Sequence, residues 1–115
     1  MKTVAKYVLI CVPIIISLYF IYLWSTAPGA YDNLAKCLTE KGAVMYGTDW
    51  CKSCQNQKSL FEKSFSYINY INCDYNKQAC DMADVISYPT WRINNTNYSG
   101  LQSLGRLASL TGCSL

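Results

Sequence analysis

The sequence predicts one small α/β domain, a central mixed sheet flanked by helices, preceded by a single N-terminal membrane-crossing helix. Three observations carry this. An uncharged apolar run fills Tyr7 to Trp24. Beyond it, helical and strand-like hydrophobic periods alternate along the chain. Seven cysteines are crowded into 115 residues, a density characteristic of small domains in oxidising compartments. The expected organisation is a cytoplasmic N-terminus over 1–6, a transmembrane anchor over 7–24, a linker over 25–30 and a single domain over 31–115.

The run Tyr7 to Trp24 is 18 residues long. At about 1.5 Å of rise per residue it nearly spans a hydrocarbon core about 30 Å thick. Lys2 and Lys6 precede it, so the positive-inside rule leaves the N-terminus in the cytoplasm and sends the rest across. Tyr19, Tyr22 and Trp24 gather toward the far end, where amphipathic rings favour the interface. Pro13 interrupts the helix, which a membrane tolerates. The alternative is a cleaved signal peptide, for which Ser25-Thr26-Ala27 resembles a processing site; Pro28 directly after it disfavours cleavage, and the run exceeds a usual h-region. Both readings place the domain outside the cytoplasm, in a periplasm, at a cell exterior or in an organelle lumen.

Pro28-Gly29 forms a short joint. Tyr31, Leu34, Ala35 and Leu38 then make a helical stripe that ends near Gly42. Ala43 to Gly47 reads as a short buried strand. After Cys51 the chain runs through Leu60, Phe61 and Phe65 at helical spacing. Tyr67 to Cys73 alternates apolar and polar residues and predicts a second strand. Lys77 to Val85 has helix-forming composition, broken by Ser87-Tyr88-Pro89. Thr90 to Ile93 predicts a third strand, Asn94-Asn95 a turn and Asn97 to Ser99 its hairpin partner. Leu101, Leu104, Leu107, Ala108 and Thr111 predict a closing helix that stops at Gly112.

Composition narrows the chemistry. The chain has no histidine and a mild net charge of +3. Ser-His and Cys-His nucleophile pairs and imidazole acid–base catalysis are therefore excluded. No concentrated basic face remains for nucleic acid. Cysteine chemistry survives. Cys51-Lys52-Ser53-Cys54 falls where a strand is expected to give way to a helix. The free N–H groups and positive dipole end of a helix stabilise a thiolate there, and the thiolate is the nucleophile. Cys51 is thus expected to attack a partner's sulfur, and Cys54 to resolve the mixed disulfide.

Trp50-Cys51-Lys52-Ser53-Cys54 resembles the W-C-x-x-C site of the thioredoxin family, and Tyr88-Pro89-Thr90 resembles that family's cis-proline loop. A closer likeness is to the thioredoxin-like domain found beside, or fused to, bacterial vitamin K epoxide reductase homologues. It is carried by Lys36 to Thr39 with Gly42-Ala43, by Tyr46 to Cys51, by Tyr70 to Asp74, by Tyr88 to Trp91 and by Tyr98 to Gly100. The resemblance implies a compact thioredoxin-like fold in which Trp50, Tyr88, Pro89 and Thr90 bind substrate. It also implies protein thiols or disulfides as substrates and a membrane redox partner of the vitamin K epoxide reductase type. No cofactor or metal is implied. Two departures stand out. The family often has a buried acid six residues before the first cysteine, where this chain has Met45, and Lys52-Ser53 replaces the proline or histidine frequent between the cysteines.

Cys37, Cys73, Cys80 and Cys113 remain in the domain, and Cys11 lies in the apolar run. Six domain cysteines permit fifteen connectivities. Locality and the resemblance together suggest structural pairs Cys73–Cys80 and Cys37–Cys113, closing loops with an entropic value of about 2–3 and about 4–5 kcal/mol. A redox relay from Cys73–Cys80 to Cys51–Cys54 is expected to be out of reach, the former lying at the other end of the first helix and second strand. Two further readings stay open: a redox-inactive adaptor or chaperone using a thioredoxin-type groove, and a zinc module built from Cys51, Cys54, Cys73 and Cys80.

Overall fold

The computed structural model describes residues 1–115. It is a mixed α/β fold whose four-stranded sheet is flanked by helices, with an apolar helix at the N-terminus. That helix, α1 (Lys2–Thr26), is long and apolar enough to cross a membrane, and none of its residues is buried. It runs unbroken through Pro13, with hydroxyls of Ser17, Ser25 and Thr26 bonding back to carbonyls of the preceding turn.

The domain continues as α2 (Asp32–Glu40), β1 (Val44–Gly47), α3 (Lys52–Leu60), a 3-10 helix (Glu62–Tyr67), β2 (Tyr70–Asn72), α4 (Lys77–Met82), β3 (Thr90–Ile93), β4 (Thr96–Ser99) and α5 (Leu104–Thr111). Strand order is β2-β1-β3-β4. β1 runs parallel to β2, with Gly47 opposite Asn72, and antiparallel to β3, with Tyr46 opposite Thr90. The β3–β4 hairpin turns on Asn94 and Asn95, both at positive φ (50° and 63°). This is the left-handed pair that a two-residue hairpin requires and that asparagine tolerates.

The period-two rule of strands separates two cores. Met45, Trp91 and Ile93 face a main core with Leu34, Leu38, Phe61 and Leu107, so α2, α3 and α5 cover this side. Tyr46 faces the other way, into a smaller cluster with Cys73, Cys80 and Ala83 under α4. Inside the main core, Gln57 of α3 donates to the Gln102 carbonyl (3.0 Å) and accepts from the Gln102 N–H (2.7 Å), which ties α3 to the start of α5. Cys37 is bonded to Cys113 and Cys73 to Cys80.

Several boundaries differ from the sequence reading. The strand expected over Tyr67–Cys73 is confined to Tyr70–Asn72. The Tyr67 carbonyl accepts the Thr39 hydroxyl (2.7 Å), and the Ile68 N–H bonds to Phe65, so this backbone is already committed to a turn. The helix after Cys51 stops at Leu60 and tightens into the 3-10 segment, with Glu62 at φ 53°. The expected helix over Lys77–Val85 ends at Met82, with Asp84 at φ 56°. There the Ala83 carbonyl accepts from the side chains of Arg92 and Asn97 on the hairpin instead of from a further helical turn. The closing helix starts at Leu104 because Ser103 caps it, its side chain accepting the Arg106 N–H (3.1 Å).

Candidate active site: a dithiol at the start of α3

β1 delivers the chain to the C-terminal edge of the sheet, where Thr48-Asp49-Trp50 turns into α3. Cys51 is the N-cap of that helix, in an extended conformation (φ −76°, ψ 116°), and its sulfur accepts the Cys54 N–H at 3.1 Å. A sulfur thus occupies the place of a capping oxygen, aimed at the free N–H groups of the first turn. Both thiols are free. Cys51 keeps 8% of its surface exposed, whereas Cys54, one turn further in, is fully buried. Burial pushes the Cys54 thiol up to about 12, reinforced by its bond with Cys51; a backbone hydrogen bond from Thr48 and the charge of Lys58 pull the other way.

The Tyr88–Pro89 peptide is cis. Trp50 and Tyr88 meet edge to face, ring centroids 6.1 Å apart. Trp50 is 70% exposed and its indole N–H reaches Asp74 Oδ1 at 3.4 Å, so it stands on the rim and not in the core. Trp91, by contrast, is fully buried. Tyr88 is half-buried, while the side chains of Pro89 and Thr90 are buried, the Thr90 hydroxyl donating to the Ser87 carbonyl (2.7 Å). Trp50 directly precedes Cys51 and brings the Tyr88 ring to its own edge; Pro89 and Thr90 follow Tyr88 into buried positions.

Cys73–Cys80 requires a correction. Because β1 and β2 are parallel, Cys73 follows β2 at the same edge of the sheet as Cys51, its N–H bonding to the Gly47 carbonyl (2.8 Å). The pair lies not at the far end but on the opposite face, in the Tyr46 cluster. The sheet, not its length, separates the two pairs. The four sulfurs of the zinc reading therefore do not converge, and no group of three or more His, Cys, Asp or Glu side chains is placed to hold a metal ion.

Four residues near the dithiol escaped the sequence reading. Gly47 lies directly against Cys54: a Cβ there would sit 2.8 Å from its sulfur and 3.3 Å from Tyr70 Cε2. A glycine inside a strand pattern marks such close approach, and that was its available signal. Thr48 is buried with its hydroxyl unpartnered, as is the hydroxyl of Tyr70. Lys58 lies over the Tyr70 ring, 3.9 Å from its centroid. Thr48 and Tyr70 lie in stretches that carry the resemblance but drew no role at the site from it, and Lys58 lies in none; only the fold gathers them.

Fold and site together present a mixed α/β domain with a dithiol capping a helix at the edge of its sheet and a cis peptide at Tyr88–Pro89. No family model matches the chain. It is similar to the thiol-disulfide oxidoreductase LTO1 of Arabidopsis thaliana, with 41% identity over 91 residues. That likeness covers 71% of this chain and 24% of the relative, so the chain spans about a quarter of the relative's length. It supports a redox family of thioredoxin type.

Proposed function

We propose that this chain is a membrane-anchored thiol–disulfide oxidoreductase acting on extracytoplasmic protein thiols and disulfides. The observation that carries the proposal is the asymmetry of the dithiol: Cys51, at the helix N-cap, keeps 8% of its surface exposed and Cys54 none. Access assigns Cys51 as nucleophile and Cys54 as resolver. In the first step the Cys51 thiolate attacks one sulfur of a partner disulfide; the other sulfur leaves as a thiolate with the bonding electron pair. In the second, the Cys54 sulfur attacks Cys51, closing the Cys51–Cys54 bond and releasing the partner, which ends reduced by two electrons. The reverse sequence oxidises a partner dithiol. Trp50 and Tyr88 offer ring surface to the incoming chain, and Pro89 and Thr90 fix the loop that presents Tyr88. Cys37–Cys113 and Cys73–Cys80 serve as structural staples.

The anchor is α1 (residues 7–24 of it within the bilayer), with residues 1–6 cytoplasmic, 25–30 as linker and 31–115 as the catalytic domain; Lys2 and Lys6 on one side and six domain cysteines on the other support this orientation. An integral membrane reductase of the vitamin K epoxide reductase type is the proposed redox partner, supported by the sequence resemblance set out above. The test is a pair of single variants in cells. Cys54→Ser should trap partners as mixed disulfides on Cys51, visible as reducible high-mass adducts. Cys51→Ser should give none. If Cys51→Ser exchanges as well as the unaltered chain, the reading is wrong; if it still supports the cellular role without exchange, the domain is an adaptor.

A further inference from the structure

A buried thiol with no accessible surface is a poor nucleophile, because the resolving step needs its sulfur charged where water cannot solvate the charge. The position expected to hold an acid is Met45, which offers no proton acceptor. The groups facing Cys54 are few. Cys51 lies before it on the same turn, the Thr48 backbone bonds to it, Tyr70 stands on β2 and Lys58, paired with Asp49, lies one turn further along α3. An i, i+4 spacing puts Lys58 on the same helix face as Cys54. Its side chain is only 28% exposed, and its ammonium rests 3.9 Å from the Tyr70 ring centroid and 3.9 Å from Asp49 Oδ1. The edge of that same ring and the Cys54 sulfur converge on one point over Gly47, at 3.3 and 2.8 Å from where a Cβ would be. Asp49 is 62% exposed, so water screens its hold on the lysine. The Tyr70 hydroxyl is buried without a partner.

We propose that Lys58 is the positioning residue for the resolving step, its ammonium held by the Tyr70 ring so that the buried Cys54 sulfur can carry negative charge. The proposal rests on the reading of Cys51 as attacker and Cys54 as resolver. In that step Cys54 loses its proton and its sulfur forms the bond to Cys51. The Cys51–partner bond breaks, its electron pair leaves on the partner sulfur, and that sulfur ends as a thiol; no further oxidant or reductant is needed.

The test is single-turnover exchange of the reduced full-length protein in detergent with glutathione disulfide. Samples are quenched with acid, and resolution of the Cys51–glutathione adduct is followed by mass across about pH 6–10, on the limb below the raised Cys54 value where the rate climbs with pH. Lys58→Met keeps the stem and removes the charge. It is expected to raise the Cys54 midpoint by about one unit, which lowers the rate all along that limb. One unit removes about tenfold of the thiolate, and the greater basicity of what remains returns about threefold, so resolution near neutrality should slow about threefold. Lys58→Arg should restore the rate along the limb, which a merely structural lysine would not do. Tyr70→Phe keeps the ring and should leave the profile unchanged. Unshifted resolution in Lys58→Met, or an equal shift in Tyr70→Phe, overturns the proposal. If the unaltered chain forms no adduct at all, the exchange reading itself fails and takes this inference with it.

Discussion

Gly47 ends β1 with its Cα set against the sulfur it helps to bury. A methyl group there would meet Cys54 Sγ at 2.8 Å, well inside ordinary contact, and Cys54 Cβ at 3.4 Å, at its limit. Cys54 is fully buried within α3, which leaves its sulfur little room to give. Gly47→Ala should therefore destabilise the domain by about 1–3 kcal/mol, the usual range for overpacking, measured by chemical denaturation of the reduced protein. It should also displace Cys54 enough to slow closure of the Cys51–Cys54 bond; unaltered stability and closure would show that the strand end yields freely. The same burial gives a pH signature. The Cys54 thiol, ordinarily at 9.0, is pushed up to about 12 by burial, and the Tyr70 phenol from 10.0 to about 12 for the same reason. In both cases the unfolded chain gives up its proton first. Stability from these groups is complete below about pH 9 and is lost as pH rises toward 12. Reduced protein should thus weaken from pH 9 upward more steeply than protein with Cys51–Cys54 closed, in which Cys54 no longer titrates. Parallel denaturation curves for the two forms at pH 7 and pH 10 check this, and equal slopes would refute it.

At the scale of elements, two covalent links fasten α2 to the end of α5 and the end of β2 to α4. Cys37 on α2 and Cys113 just past α5 are 76 residues apart, whereas Cys73 and Cys80 are 7 apart. Chain entropy makes the first link worth about 4–5 kcal/mol and the second about 2–3. Replacing Cys37 and Cys113 together by alanine should accordingly lower the unfolding free energy more than the matching change at Cys73 and Cys80. A reversed order would mean that local packing under α4, and not loop closure, sets the value of the shorter link. The sequence made the elements themselves legible wherever local rules act alone. Gly42 and Gly112 stop their helices at φ 80° and 75°, Asn94-Asn95 turns the hairpin, and Cys51 falls at a helix start. It failed where tertiary partners outbid local pattern. Tyr67 alternates like a strand residue, yet Thr39 takes its carbonyl and the Lys36 ammonium covers its ring at 4.5 Å. Arg92 and Asn97 likewise cut α4 short from the hairpin. The site was legible as two cysteines, a tryptophan and a proline loop. Which face of the sheet Cys73 would take depends on register and parity along β2, and an error of one residue in a strand reverses that face.

For the whole molecule, the radius of gyration is 20.5 Å and the longest extent 71 Å. A compact chain of this length would have a radius of about 13 Å. The difference is α1, which projects from the domain and contributes nothing to either core. What joins the two parts is polar and lies on the domain side. Asp32 accepts the Gly29 N–H (2.9 Å) and the Ser64 hydroxyl (2.7 Å), and Ser64 in turn accepts the Tyr31 N–H (3.1 Å). The Ser64 bond, above all, holds the Asp32 carboxyl below its usual range, so this joint is made at neutral pH and loosens in acid as Asp32 gains a proton. A Cβ at Gly29 would collide with both Ser64 and Asp32. Only the Lys63 ammonium, bonded to the Ala27 carbonyl, reaches back toward the helix end. Cutting the chain after Thr26 therefore spares the whole cluster and leaves that one exposed contact at the new terminus. The domain so produced should unfold within about 0.5 kcal/mol of the full-length protein, as expected for changes confined to exposed surface. It should also pass from the detergent-requiring membrane fraction to the aqueous one. A truncated domain that melts well below the full chain would mean that α1 packs on the domain in solution. A full-length chain that stays in the supernatant after ultracentrifugation without detergent would deny that the helix is an anchor. Since stability reads the joint and partition reads the membrane, the two measurements on one construction separate the ways in which this arrangement can be wrong.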